Sequence, residues 1–140
     1  MEMKPVCKIY EDETKQWILG NVLHRKDGPA IIQPNGIEEW YVNGERHRDD
    51  GPAVIWPNGQ KDWYLNGKLH RKDGPAIEYP SGTKEWYLHG EYHREDGPAV
   101  EYSNGRKDWY LNDFQYTLEE YISQMNWSDA EKVEFYLKWK

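Results

Sequence analysis

Four copies of one short string carry four of the five histidines and four of the six arginines of this 140-residue chain. His-Arg-x-Asp-Gly-Pro-Ala begins at His24, His47, His70 and His93, an interval of 23 residues each time. A histidine close to an aspartate, as His24 is to Asp27, suggests a general base and the carboxylate that orients it. The same string sets Arg25, Arg48, Arg71 and Arg94 beside backbone turns, where a row of guanidinium groups could hold phosphates or a nucleotide.

Spacing argues against chemistry at these positions. If each copy adds two strands at about 4.7–4.9 Å each, equivalent histidines stand roughly 10 Å apart. Ligands of one zinc ion lie about 2.0–2.1 Å from it, so the ladder cannot share a metal. No nucleophile stands beside a base, and no phosphate-cradling glycine loop is present. We therefore expect no catalytic residue, no metal and no cofactor, and a loop in which Asp caps backbone amides and His packs or hydrogen-bonds. The arginines leave two readings open, an ion pair to the neighbouring Asp or an anion-binding row formed with His24, His47, His70 and His93.

The elements that must position these residues follow from the rest of the period. Trp40-Tyr41, Trp63-Tyr64, Trp86-Tyr87 and Trp109-Tyr110 keep the 23-residue interval, and Trp17 marks a worn first copy over residues 5–23. Turn signals recur twice per copy, at Asn35-Gly36, Asn58-Gly59, Ser81-Gly82 and Asn104-Gly105, then at Asn43-Gly44, Asn66-Gly67, His89-Gly90 and Asn112-Asp113. Asn-Gly between alternating apolar residues is a type I′ hairpin signal, because both central residues take positive φ. Residues 37–42 fit one strand. Residues 45–57 are too many for its partner, so the His-Arg-x-Asp-Gly-Pro segment is expected to bulge out, with Gly supplying an unusual φ and Pro removing a donor. The expected fold is mainly β, an elongated antiparallel hairpin-repeat sheet over residues 1–112, solenoid-like, closed by a short helical cap over 113–140.

Parity assigns the faces. Trp40 with Val42, and Val54 with Trp56, are expected to face the core, as are their equivalents. The outward face then carries Tyr41, Tyr64, Tyr87 and Tyr110 beside Glu39, Asp62, Glu85 and Asp108, with Glu78 and Glu101 alongside. Tyr offers wide contact at low entropy cost, which suits a protein partner. A tyrosine ladder also stabilises a sheet with no partner at all. Regular acids at this spacing could further imitate nucleic-acid phosphate. In the tail, Thr117-Leu-Glu-Glu120 and Ser128-Asp-Ala-Glu131 fit two capping boxes, followed by Leu118, Tyr121, Ile122 and Met125, and by Val133, Tyr136 and Leu137, at helical spacing.

Composition narrows the classes. The formal net charge is −7, both repeats and tail are acidic, and a generic nucleic-acid binder is not expected. Eight Trp and eleven Tyr in a chain that is 31% charged argue against long disorder, and the absence of a long apolar run argues against a membrane span. Cys7, the one cysteine, allows no internal disulfide and reads as structural. With no secretion signal after Met1, the cytoplasm is the expected compartment.

The string Glu39-Trp40-Tyr41-Val42-Asn43-Gly44-Glu45-Arg46-His47 and its equivalents resemble a divergent MORN-type repeat, over roughly residues 5–112. The Arg-x-Asp-Gly-Pro-Ala loop departs from that family's glycine-punctuated return strand. The resemblance, to MORN-variant proteins of the bacterial or phage antitoxin-like sort, implies stacked hairpins, protein binding, dimerisation or membrane-proximal scaffolding, and no catalytic residue. It points to a small regulator or inhibitor, in the host cytoplasm if phage-encoded, with a protein partner and a possible homodimer through the free sheet edge at the first copy. The alternative is a binder of an anionic small molecule at the loops.

Overall fold

The computed structural model describes residues 3–140. Eleven strands follow one another in an open antiparallel meander from Val6–Ile9 to Phe114–Tyr116, and Val22–Leu23 pairs off this path with Lys15–Leu19. Each copy adds two short rungs to the meander, such as Glu38–Glu39 and Val54–Ile55, and one hairpin beside it, such as Tyr41–Val42 with Glu45–Arg46.

The strand expected over 37–42 is broken at its tryptophan. The Trp40 N–H donates to the Ala53 carbonyl in the meander at 2.7 Å, while the Trp40 carbonyl accepts from the His47 N–H in the hairpin at 3.1 Å. One residue thus bonds to both ladders and forms a corner, and Trp63 and Trp86 repeat it with Ala76 and His70, and with Ala99 and His93. The hairpins bond to one another as well. The N–H groups of Gly44, Gly67, Gly90 and Asp113 donate to the carbonyls of Leu23, Arg46, Leu69 and Tyr92. Every copy is therefore tied to the next by two hydrogen-bonded layers.

The two turn series differ. Asn43-Gly44, Asn66-Gly67, His89-Gly90 and Asn112-Asp113 have positive φ at both positions (52 and 81°, 50 and 78°, 51 and 81°, 49 and 68°), the type I′ pattern. In the other series only the glycine does, at 91–97° for Gly36, Gly59, Gly82 and Gly105. There the Gly36 N–H donates to the Gln33 carbonyl and the Ile37 N–H to Asn35 Oδ1. This is a type I turn closed by a left-handed glycine, and Pro34, Pro57 and Pro80 fit its first central position because proline presets φ there.

Register also changes the faces. Val54 lies opposite both Glu39 and Asp62, Ile77 opposite Asp62 and Glu85, and Val100 opposite Glu85 and Asp108. Directly opposed residues share a face, so aliphatic and acidic side chains alternate along one column. Val54, Ile77, Val100, Glu39, Asp62 and Asp108 are buried, and Glu85 is half-buried. The acids expected to face water thus line the interior, because register, not position within one strand, decides which residues meet. The other face runs Lys61, Glu78, Lys84, Glu101, Lys107 in opposed pairs of alternating sign, so Glu78 and Glu101 lie across the sheet from the tyrosine side.

The tail folds as α1 (Leu118–Ser123) and α2 (Asp129–Trp139), each with a complete capping box, Thr117 with Glu120 and Ser128 with Glu131. Tyr121 and Ile122 are buried against Trp109, with Met125, Trp127, Phe135 and Trp139 packed around them. The second helix docks through Phe135 and Trp139, one turn apart. Val133, Tyr136 and Leu137, expected inside, are exposed on its far side at 59%, 38% and 56%. No helix of the described residues is long and apolar enough to cross a membrane.

Candidate functional site: the loop corners and the tyrosine–acid column

Each His-Arg-x-Asp-Gly-Pro-Ala segment wraps around its own guanidinium. Cζ of Arg25, Arg48, Arg71 and Arg94 stands 3.9, 4.0, 3.9 and 3.8 Å from the ring centroids of Trp17, Trp40, Trp63 and Trp86. Nη1 donates to the carbonyls of Pro29, Pro52, Pro75 and Pro98 at 3.0–3.1 Å. Nε faces Asp27, Asp50, Asp73 and Asp96 at 3.1, 3.1, 3.4 and 2.8 Å. In the last two copies Nη1 also reaches Glu78 and Glu101, at 3.2 and 2.9 Å. A guanidinium supplies the flat face for stacking and the fork for these bonds together, which an ammonium cannot.

The glycine serves close approach here instead of an unusual φ. A Cβ on Gly28, Gly51, Gly74 or Gly97 would stand 2.8, 2.9, 2.9 or 2.6 Å from the arginine Cζ. The alanine that follows the proline, Ala30, Ala53, Ala76 or Ala99, is fully buried at the corner. Asp in these loops accepts from the arginine, where a cap on backbone amides was expected.

The histidines tie one copy to the next. Nδ1 of His24, His47, His70 and His93 accepts the backbone N–H of Asn43, Asn66, His89 and Asn112 at 3.0, 3.1, 2.9 and 3.0 Å. Each donor is the first positive-φ residue of the following hairpin turn. With Nδ1 an acceptor, the ring proton belongs on Nε2, which in His47 meets Asp49 Oδ1 at 2.9 Å and in His93 meets Glu95 Oε1 at 3.4 Å. His70 is buried with its ring 4.5 Å from that of His89, and its pKa is lowered by burial and then by the charges of His89 and Lys72. Among the described residues no three His, Cys, Asp or Glu side chains stand close enough to hold a metal ion together.

The tyrosine–acid column is bonded internally. Glu39 accepts from Arg46 Nη2 at 2.7 Å, Asp62 from Trp56 Nε1 at 3.0 Å, Glu85 from the Tyr87 hydroxyl at 3.1 Å and Asp108 from the Tyr102 hydroxyl at 2.8 Å. Tyr41, Tyr64, Tyr87 and Tyr110 are half-buried. The Arg46 guanidinium lies 5.3 Å from the Tyr64 ring, and Tyr92 stacks between Tyr87 and Tyr110 at 4.3 and 4.9 Å. Burial first, then Glu85 and Asp62, pushes the Tyr79 hydroxyl up to about 12. Burial likewise raises Tyr87 and Tyr92, and the bond to Asp108 raises Tyr102. These phenols stay neutral, and so stay donors to the carboxylates, throughout the ordinary pH range.

The space between successive loops is open to solvent. Three clefts of about 400, 820 and 610 Å³ follow one another along the array. The first is lined by Trp40, Val42 and Lys26, the second by Trp63, Leu65 and Lys72, the third by Trp86, Leu88 and Glu95. The apolar residue two places after each Trp was visible in the sequence as a core position, and its part in a cleft followed only from the corner geometry. In these loops the side chains of Asp27, Asp49, Asp50, Asp73, Glu95 and Asp96 are 77–89% exposed, against 15–24% for the four arginines. Carboxylates, not guanidiniums, are the outermost charged groups of the loops together with Lys26 and Lys72. Compared with known proteins, the chain matches no family model and no curated sequence.

Proposed function

We propose that this chain is a non-catalytic interaction module that recognises another protein along its loop side. The row of three like clefts carries the reading, because a repeated recess of the same make offers repeated contact to one extended partner. The histidine, arginine and acid of each copy support it from the other direction, since their bonds are spent on holding the repeat together. The resemblance to MORN-type repeats supports a small regulator or inhibitor of the antitoxin-like sort, in a bacterial or phage setting. The anion-binding alternative draws little from the geometry, as each guanidinium is stacked, bonded and screened by a more exposed carboxylate.

Affinity capture from lysate with native mass spectrometry of the eluate tests this. A stoichiometric protein companion is expected, reduced by Asp49→Lys with Glu95→Lys and less affected by Tyr64→Phe with Tyr87→Phe. A retained small anion with no protein would overturn the reading and move the function to the arginines.

A further inference from the structure

Resting on that reading, we infer that the clefts take an extended, proline-rich segment bearing Lys or Arg, in the polyproline II conformation, with every third residue entering a cleft.

Period and phase carry this. Successive loops lie two strands apart, about 9.4–9.8 Å at ordinary strand spacing. A polyproline II helix rises about 3.1 Å per residue with three residues per turn, so it advances about 9.3 Å and returns the same face at each turn. A β-strand covers a similar distance in three residues but presents the opposite face, because its side chains alternate. Among extended backbones, polyproline II therefore keeps both step and orientation in register across three clefts.

Chemistry selects the side chains. Each cleft sets a tryptophan beside Val42, Leu65 or Leu88, and aromatic-lined grooves suit proline rings on a backbone that has already lost its freedom. At the cleft mouths the side chains of Asp49, Asp50, Asp73, Glu95 and Asp96 are far more exposed than the arginines and outnumber the exposed Lys26 and Lys72, in a chain of net charge −7. A cationic ligand meets these carboxylates before it meets the sheltered arginines, and Lys26 and Lys72 oppose them only in part. Linked contacts of this kind multiply, so affinity rises with each further triplet until the clefts are filled.

Calorimetric titration of the whole chain with synthetic peptides tests the inference. The probe is (Pro-Pro-Arg)4, with shorter members of the series and a peptide of the same composition whose arginines are irregularly spaced. The regular peptide is expected to bind at least tenfold more tightly than the irregular one. Each triplet up to three should add affinity and a fourth should add little. Asp49→Lys with Glu95→Lys, two exposed sites, should cost at least tenfold with an unchanged circular dichroism spectrum.

Equal binding of both peptides would overturn the inference in favour of undirected charge attraction, and binding of neither would overturn it outright. Tighter binding of a neutral β-1,4-linked oligosaccharide would overturn it in favour of sugar. A protein companion captured by the wild type and reduced by the cleft variant, with no peptide of the series bound, would leave the interaction module standing and remove this inference alone.

Discussion

Trp86 and Trp109 occupy the same place in successive copies and are covered in opposite ways. Trp86 lies under the guanidinium of Arg94, itself bonded to Pro98, Asp96 and Glu101. One period later no arginine follows, and Thr117 stands where it would be. The Trp109 ring meets Tyr121 at 4.8 Å, Trp139 edge-on at 5.7 Å and Phe135 at 5.8 Å. The cap thus closes the array by filling the vacant corner with rings. It is also fastened to the last true loop, since the Tyr121 hydroxyl donates to the Arg94 carbonyl at 2.6 Å and Arg94 lies 5.7 Å from the Trp139 ring. Inside the array a corner must leave a cleft open to the next loop, which a polar, flat cover allows. At the end nothing follows, and full apolar burial gives more stability per residue.

Trp109→Ala breaks this comparison most severely. Removing a buried indole from the centre of the aromatic cluster is expected to cost about 3–5 kcal/mol and to release both helices, seen as lost helical ellipticity at lower denaturant than the loss of β signal. Arg71→Ala, the equivalent attack on an interior corner, should cost about 2 kcal/mol in denaturant midpoint analysis, from the stacking over Trp63 and the bond to Pro75. Arg71→Lys should recover less than half, since a lysine keeps the charge but not the fork. Full recovery would mean that charge alone holds the corner.

A smaller effect is expected at His70, one of two buried histidines. The folded pKa of His70 is lowered, so between that value and the ordinary 6.5 the unfolded chain binds more protons. Its contribution to stability is complete above about pH 6.5 and is lost as pH falls below it. Urea midpoints measured from pH 7.5 down to 5 should decline, and His70→Asn, which keeps an acceptor but does not titrate, should flatten the decline. Smallest is Tyr121→Phe, expected to cost about 1 kcal/mol through the lost bond to the Arg94 carbonyl, with both helices retained.

What the sequence made legible was local. The 23-residue period, the type I′ turns and both capping boxes are each set by residues within a few positions of one another. Faces were not legible, because Val54 meets Glu39 and Asp62 through pairing between strands, which alternation along one strand does not determine. The break at Trp40 was hidden for a related reason, as its N–H and carbonyl bond to different layers. Each histidine's partner lies 19 residues away on a backbone amide, and an amide carries no sequence signature. The α2 stripe was misjudged because both Val133, Tyr136, Leu137 and Phe135, Trp139 have helical spacing, and only the position of Trp109 selects between them.

The repeated loop motif builds the array, His joining copies and Arg closing corners. Long-range proton–nitrogen correlation of the imidazole rings at pH 7.5 tests it most directly. His24, His47, His70 and His93 are expected to be held as the Nε2–H tautomer with unprotonated Nδ1, and the amides of Asn43, Asn66, His89 and Asn112 to exchange slowly with solvent. Rings averaging between tautomers, with fast exchange at those four amides, would contradict it.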